Sequence, residues 1–96
     1  MNWQVYMILC SDDSLYTGIT TNVERRLEQH AARRGARYFR ARRPRAIVYL
    51  ESGHSRSSAS RREALIKRLK RPAKEVLIAS VRYELHSPSV NRRVRP

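Results

Sequence analysis

The sequence is short of acid. Eight aspartates and glutamates stand against 21 lysines and arginines, a formal net charge of +13. A compact chain with that excess repels itself, so an anionic polymer is the partner its charge calls for. Cysteine is nearly absent. Cys10 stands alone, which excludes an internal disulfide and any metal cluster built on thiolates. Inside an apolar run it reads as a core thiol. No apolar run approaches the roughly 20 residues that cross a bilayer. The run Trp3–Cys10 stops before Asp12 and Asp13, and the residues ahead of it lack the basic start of a secretory signal. A cytoplasmic protein with no membrane partner is therefore expected. No long basic amphipathic helix with bulky apolar residues points to a membrane surface either.

What is present suits one small folded domain. The chain has 96 residues, and at 41% its hydrophobic content is too high for a disordered chain. We expect a domain over residues 1–82 and a flexible basic tail over 83–96. Trp3–Cys10 reads as a strand with Val5, Met7 and Leu9 on one face and Tyr6, Ile8 and Cys10 on the other. Both faces are apolar, so both should be covered. Ser11-Asp12-Asp13-Ser14 reads as a turn into a second strand, Leu15 to Ile19. Thr21-Asn22-Val23-Glu24 has the form of a capping box with Thr21 as N-cap, opening a helix to about residue 32. Residues 33–45 form a basic segment with Gly35 and Pro44 as breakers. Ala46 to Glu51 is a third strand and Ser52 to Ser58 a polar loop. A second helix runs from Ser58 to about Lys70 with Leu65, Ile66 and Leu69 inward. A third, over about 72–80, carries Val76, Leu77 and Ile78. The order β-β-α-β-α-α implies an α/β fold of the α+β type: a small three-stranded, mostly antiparallel sheet flanked by helices.

Several residues are placed for chemistry. With Val23 at the centre of the first helix's apolar stripe, Leu27 falls at about +40°, His30 at about −20° and Arg26 at about −60°. Arg26 and His30 therefore sit on or beside the buried stripe, while Arg25 faces solvent. A half-buried arginine needs anionic company. A substrate phosphate, Glu63 or a carbonyl would each supply it. Tyr6 and Tyr16 come from adjacent strands, and Gly18 shares a face with Tyr16 without blocking access to it. Glu63 could complete a capping box with Ser60, pair with Lys67, or hold Mg²⁺, which often uses only one or two carboxylates. His54 and His86 have no evident partners and read as loop or surface residues.

Taken together, Gln4-Val5-Tyr6, Tyr16-Thr17-Gly18, Arg26 with His30 four residues on, and Glu63 on the next helix resemble the GIY-YIG nuclease superfamily. That superfamily includes the amino-terminal domain of bacterial excinuclease C. Gly35-Ala36-Arg37-Tyr38 and Arg62-Glu63-Ala64-Leu65-Ile66-Lys67 are similar to its small stand-alone, single-domain bacterial group. The resemblance runs from about Trp3 to Ile78. Gln4 stands where the family's first glycine would be, and Asn91 is not matched to the asparagine some members carry.

The resemblance implies a metal-dependent endonuclease that hydrolyses phosphodiester bonds in branched or duplex DNA, in a repair or recombination setting. Glu63 would hold one Mg²⁺ (or Mn²⁺) and Arg26 would stabilise the phosphate. Tyr6 would act as the general base or help to position it, its phenolate favoured by nearby cations. Tyr16 and His30 would orient water, phosphate or Tyr6. Arg33, Arg34, Arg37, Tyr38, Arg40, Arg42, Arg43 and Lys67 would contact nucleic acid, with Tyr38 and Phe39 available to stack on a base. Such contacts are tolerant of sequence, so selectivity would come from DNA shape. A non-catalytic nucleic-acid-binding module on the same fold is the alternative. An RNA- or ribosome-associated protein would show an RNA-binding aromatic motif, and none is found.

Overall fold

The computed structural model describes residues 1–32 and 37–86, with side chains as far as residue 81. Its elements are β1 (Trp3–Cys10), β2 (Leu15–Thr20), α1 (Val23–Ala31), β3 (Pro44–His54), α2 (Arg56–Arg68) and α3 (Arg71–His86). A 3₁₀ turn, Arg37–Arg40, precedes β3. The sheet is antiparallel throughout, in the order β2-β1-β3. No helix among the described residues is long and apolar enough to cross a membrane.

The alternation in β1 organises everything else. Its side chains point to opposite faces in turn, and both sets are buried. Val5 and Met7 join Tyr49, Ala59, Ile66 and Ile78 in one core, beneath α2 and α3. Tyr6, Ile8 and Cys10 join Val23 of α1 and Phe39 of the 3₁₀ turn in a second core. Each fully buried aliphatic side chain contributes roughly 1.5–3 kcal/mol. The register between β1 and β3 slips between Met7 and Ile8, which pair with Tyr49 and Ile47. The extra residue, Val48, packs with Tyr49 on the α2–α3 side, while Ile47 packs on the other.

The turn after β1 forms as its composition suggests. Asp12 accepts hydrogen bonds from the Ser14 N–H (3.1 Å) and hydroxyl (2.5 Å). Asp13 takes φ +67°, a left-handed conformation that short polar side chains tolerate.

Element ends differ from expectation. The N-cap of α1 is Asn22, not Thr21: its side chain accepts from the Arg25 N–H at 3.0 Å. Thr20 fixes this one-residue shift by accepting from the Asn22 N–H at 3.2 Å, and Gln4 accepts from the Val23 N–H at 3.1 Å. The loop expected over 52–58 is mostly ordered structure. β3 continues to His54, and Ser55 caps α2 in a reciprocal box with Ser58. Pro44 opens β3 instead of breaking the chain, as proline can at the first residue of a strand. α3 continues past residue 82 and includes His86. Leu65, expected inward, is 50% exposed, and Val76 on the third helix is 68% exposed. Each is turned out of the stripe held by Ile66 or Ile78, since neighbouring helical positions diverge by about 100°. Arg33, Arg34, Gly35, Ala36 and the tail from residue 87 lie outside the described residues.

Candidate active site

β1 and β2 place two phenols side by side. Tyr6 pairs across the ladder with Gly18, and Ile8 with Tyr16, so both tyrosines emerge on the α1 face of the sheet. Gly18 is needed for space. A Cβ there would lie 2.5 Å from the Tyr6 hydroxyl oxygen and 2.7 Å from its Cζ. The Tyr6 hydroxyl thus lies directly over the β2 backbone. The α1 stripe brings His30 in from above, fully buried, with Nε2 3.0 Å from the Tyr6 hydroxyl. The His30 ring stands edge-on to Tyr16, centroids 5.3 Å apart, and packs on Phe39 at 4.2 Å.

The protonation states follow from burial and from Arg26. Burial pushes the Tyr6 phenol up to about 12, with Tyr16 adding to the rise, while a hydrogen bond and the charge of Arg26 pull the other way. Tyr16 is also raised by burial, opposed by Lys67 and Arg26. His30 is held down at about 4, first by burial and then by Arg26. At neutral pH His30 is therefore an uncharged imidazole, hydrogen-bonded through Nε2 to the Tyr6 hydroxyl. The phenolate expected from nearby cations does not prevail in the free protein, because desolvation outweighs Arg26.

Arg26 lies on α1 half-buried, donating to the Gln29 side chain at 2.9 Å. It also hydrogen-bonds the Tyr6 hydroxyl, and its charge reaches Tyr6, Tyr16 and His30. Glu63 lies on α2, half-buried, with its carboxylate 3.2 Å from the Lys67 ammonium. It acts electrostatically on both tyrosines. Tyr6, Tyr16, Arg26, His30, Glu63 and Lys67 thus form one electrostatic cluster. Among the described residues no three His, Cys, Asp or Glu side chains gather into a metal cage. A single half-buried carboxylate suits a hard cation whose other positions are filled by water and a phosphate. It does not suit a preformed structural metal site.

The basic segment is partly committed to the fold. Phe39 is 0% exposed and part of the core, which removes it from stacking on a base. Tyr38 leans on Tyr16 and Phe39, donates to Ser14 at 2.5 Å, and carries the Arg42 guanidinium 4.1 Å over its ring. Arg42 also donates to Asp12 at 2.7 Å. These contacts pin the 3₁₀ turn to the β1–β2 turn. Arg37, Arg40 and Arg43 remain exposed.

Two features had no sequence signal. His54, read as partnerless, bonds Ser58 Oγ and Glu51 Oε1, each at 2.8 Å. Glu51 also accepts from Arg62 at 2.8 Å and from the Tyr49 hydroxyl. Serine, histidine and carboxylate are adjacent here, but Ser58 Oγ also accepts the Ser55 N–H of the helix cap and Glu51 is also held by Arg62 and Tyr49. The set is a joint tying α2 to β3, with Arg62 next to Glu63. Thr17, on the face of β2 opposite to Tyr16, is buried with no hydrogen-bond partner for its hydroxyl.

A family model for the GIY-YIG catalytic domain matches residues 2–76, and the chain belongs to this nuclease family. Its relatives are small UPF0213 proteins. One from Desulfotalea psychrophila is 49% identical over 77 residues, covering 79% of this chain and 70% of that one. One from Natronomonas pharaonis is 51% identical over 75 residues, covering 78% and 88%. The solution NMR structure of a UPF0213 protein from Bacillus halodurans is 43% identical, with a TM-score of 0.53 over 82% of this chain and 84% of that one.

Proposed function

We propose that the protein is a metal-dependent endonuclease that hydrolyses phosphodiester bonds in DNA with low sequence specificity. The observation that carries this is the convergence of Tyr6, Tyr16, His30, Arg26 and Glu63 from β1, β2, α1 and α2. Arg26 is the forked cation for the scissile phosphate, offsetting the charge that builds as phosphorus becomes crowded. Glu63 holds one Mg²⁺ or Mn²⁺, which when bound supplies Lewis-acid stabilisation of phosphate and leaving-group oxygens.

Tyr6 positions the attacking water through its phenol oxygen while its own O–H points to His30 Nε2. As the water oxygen bonds to phosphorus and the bond to the leaving sugar oxygen breaks, the water proton passes to Tyr6 and the Tyr6 proton to His30; the leaving oxygen takes a proton from solvent and departs as the alcohol, and His30 returns its proton to solvent. No free phenolate forms, which suits a phenol held near 12. A phosphate on Arg26 offsets one of the two causes that hold His30 down, so the substrate itself prepares the proton acceptor. Tyr16 and Tyr38 wall the water on one side. The charge of +13 supplies salt-sensitive, sequence-tolerant attraction to the backbone. Selectivity for branched or nicked DNA would then come from shape.

The test is cleavage of labelled branched and linear duplex DNA at low salt with Mg²⁺ or Mn²⁺, with EDTA and Glu63→Ala as controls. Metal-dependent cleavage lost in both controls is the expected result. Binding with no cleavage in either metal would replace this reading with the non-catalytic module. Cleavage that persists in Glu63→Ala would move the metal ligand elsewhere.

A further inference from the structure

Glu63 is paired in a way that sets it apart from the other bridged carboxylates. Asp12, Asp13, Glu51 and Glu75 take arginine or histidine partners. Glu63 takes Lys67, one of only three lysines in a chain with 18 arginines. The two cations behave differently. Arginine grips a carboxylate with a rigid, bidentate fork; lysine touches it at one point on a flexible stem. Lys67 is half-exposed while Glu63 is only 23% exposed, so the cation can leave while the carboxylate stays. The pair does not merely decorate a solvent face, because the Lys67 charge also acts on Tyr16 inside the cluster.

We propose that Lys67 is a tethered placeholder: its ammonium occupies the Glu63 carboxylate in the free protein and is displaced to the substrate phosphate when a divalent cation binds there. This rests on the reading of Glu63 as the metal ligand. Two consequences follow. The placeholder keeps a half-buried carboxylate neutralised without a metal, and it weakens metal binding until phosphate offers the ammonium a second home. Metal and DNA should therefore bind with positive coupling, because each ligand removes the cost that Lys67 imposes on the other.

The test measures Mn²⁺ binding to the DNA-free protein by the loss of the free-ion EPR signal, with no activity involved. The variants are Lys67→Met, Lys67→Arg and Glu63→Gln. A half-exposed ion pair shifts an equilibrium by up to about fivefold, and removing the repulsion between ammonium and dication adds to this. Lys67→Met should therefore tighten Mn²⁺ binding roughly three- to tenfold, Lys67→Arg should not tighten it, and Glu63→Gln should abolish it. Affinity detectable only in Lys67→Met supports the proposal equally. If Glu63→Gln abolishes binding but Lys67→Met leaves it unchanged, the placeholder is wrong while the metal ligand stands. If Glu63→Gln binds as the wild type does, or neither wild type nor Lys67→Met binds, both are overturned. Lys67 is exposed, and unchanged circular dichroism of Lys67→Met secures the comparison.

Discussion

Gly18→Ala is the sharpest single perturbation of the site. The new Cβ would meet the Tyr6 hydroxyl oxygen at 2.5 Å, Tyr6 Cζ at 2.7 Å and Tyr16 Cε2 at 3.0 Å. Tyr6 is 1% exposed, so its ring cannot swing into solvent. Either the ring or the strand must move. Overpacking of this kind costs about 1–3 kcal/mol, and moving the hydroxyl off His30 forfeits about 0.5–1.5 kcal/mol more. Alanine's lower backbone entropy cost in a strand returns about 0.5–1 kcal/mol. The net destabilisation should be about 0.5–4 kcal/mol, read by urea unfolding. Cleavage should fall by far more than the loss of folded protein explains, because the Tyr6–His30 pair is misplaced. The tyrosine ultraviolet titration should also show one phenol shifted down from its raised position. Wild-type stability with wild-type cleavage would refute the argument that Gly18 exists to seat Tyr6.

Other expectations are simpler to check. Arg26→Lys keeps the charge and loses the fork, so single-turnover cleavage should fall roughly 100- to 1,000-fold while DNA affinity changes little. His30 has a folded pKa of about 4, below the ordinary 6.5. The unfolded state therefore binds the proton first, and stability should be complete above about pH 6.5 and fall as pH drops towards 4. The loss is roughly 3 kcal/mol at most. Urea midpoints across that range in His30→Gln should lose this dependence. Thr17→Val replaces an unsatisfied buried hydroxyl with a methyl and should stabilise by about 1 kcal/mol in thermal unfolding. A destabilised variant would mean the hydroxyl has a partner in solution.

The strands were legible because β1 alternates cleanly and is apolar on both faces, which already demanded two layers of cover. The helical phase of α1 was legible for the same reason, and it put Arg26 and His30 where they stand. The boundaries were not. Thr21 and Asn22 are both good N-caps, and only the tertiary contacts of Thr20 and Gln4 choose between them. Ser55 and Ser58 read as loop because serine favours turns and caps alike. The resting state of Tyr6 in the free protein was not legible because burial is invisible locally: a phenol beside an arginine looks activated until the desolvation around it is known. Arg42 looked like one more free cation in a basic run. Its bond to Asp12 spans a turn and 30 residues, and no spacing rule connects them. Glu51 and His54 failed to register for the same reason.

The two cores back on to one strand. Odd residues of β1 face α2 and α3, and even residues face the phenols and imidazole of the candidate site. The α3 side of that layer is thereby kept apart from the candidate site, whereas α2 serves both, holding Ile66 in the core and carrying Glu63. A selection for heat resistance should collect its substitutions around Met7, Ile78 and Val81, away from Glu63, and leave turnover alone. A selection for altered cleavage should collect around Ile8, Val23 and Phe39. The core beneath α3 can then be repacked without disturbing the contact between Tyr6 and His30 on the other face.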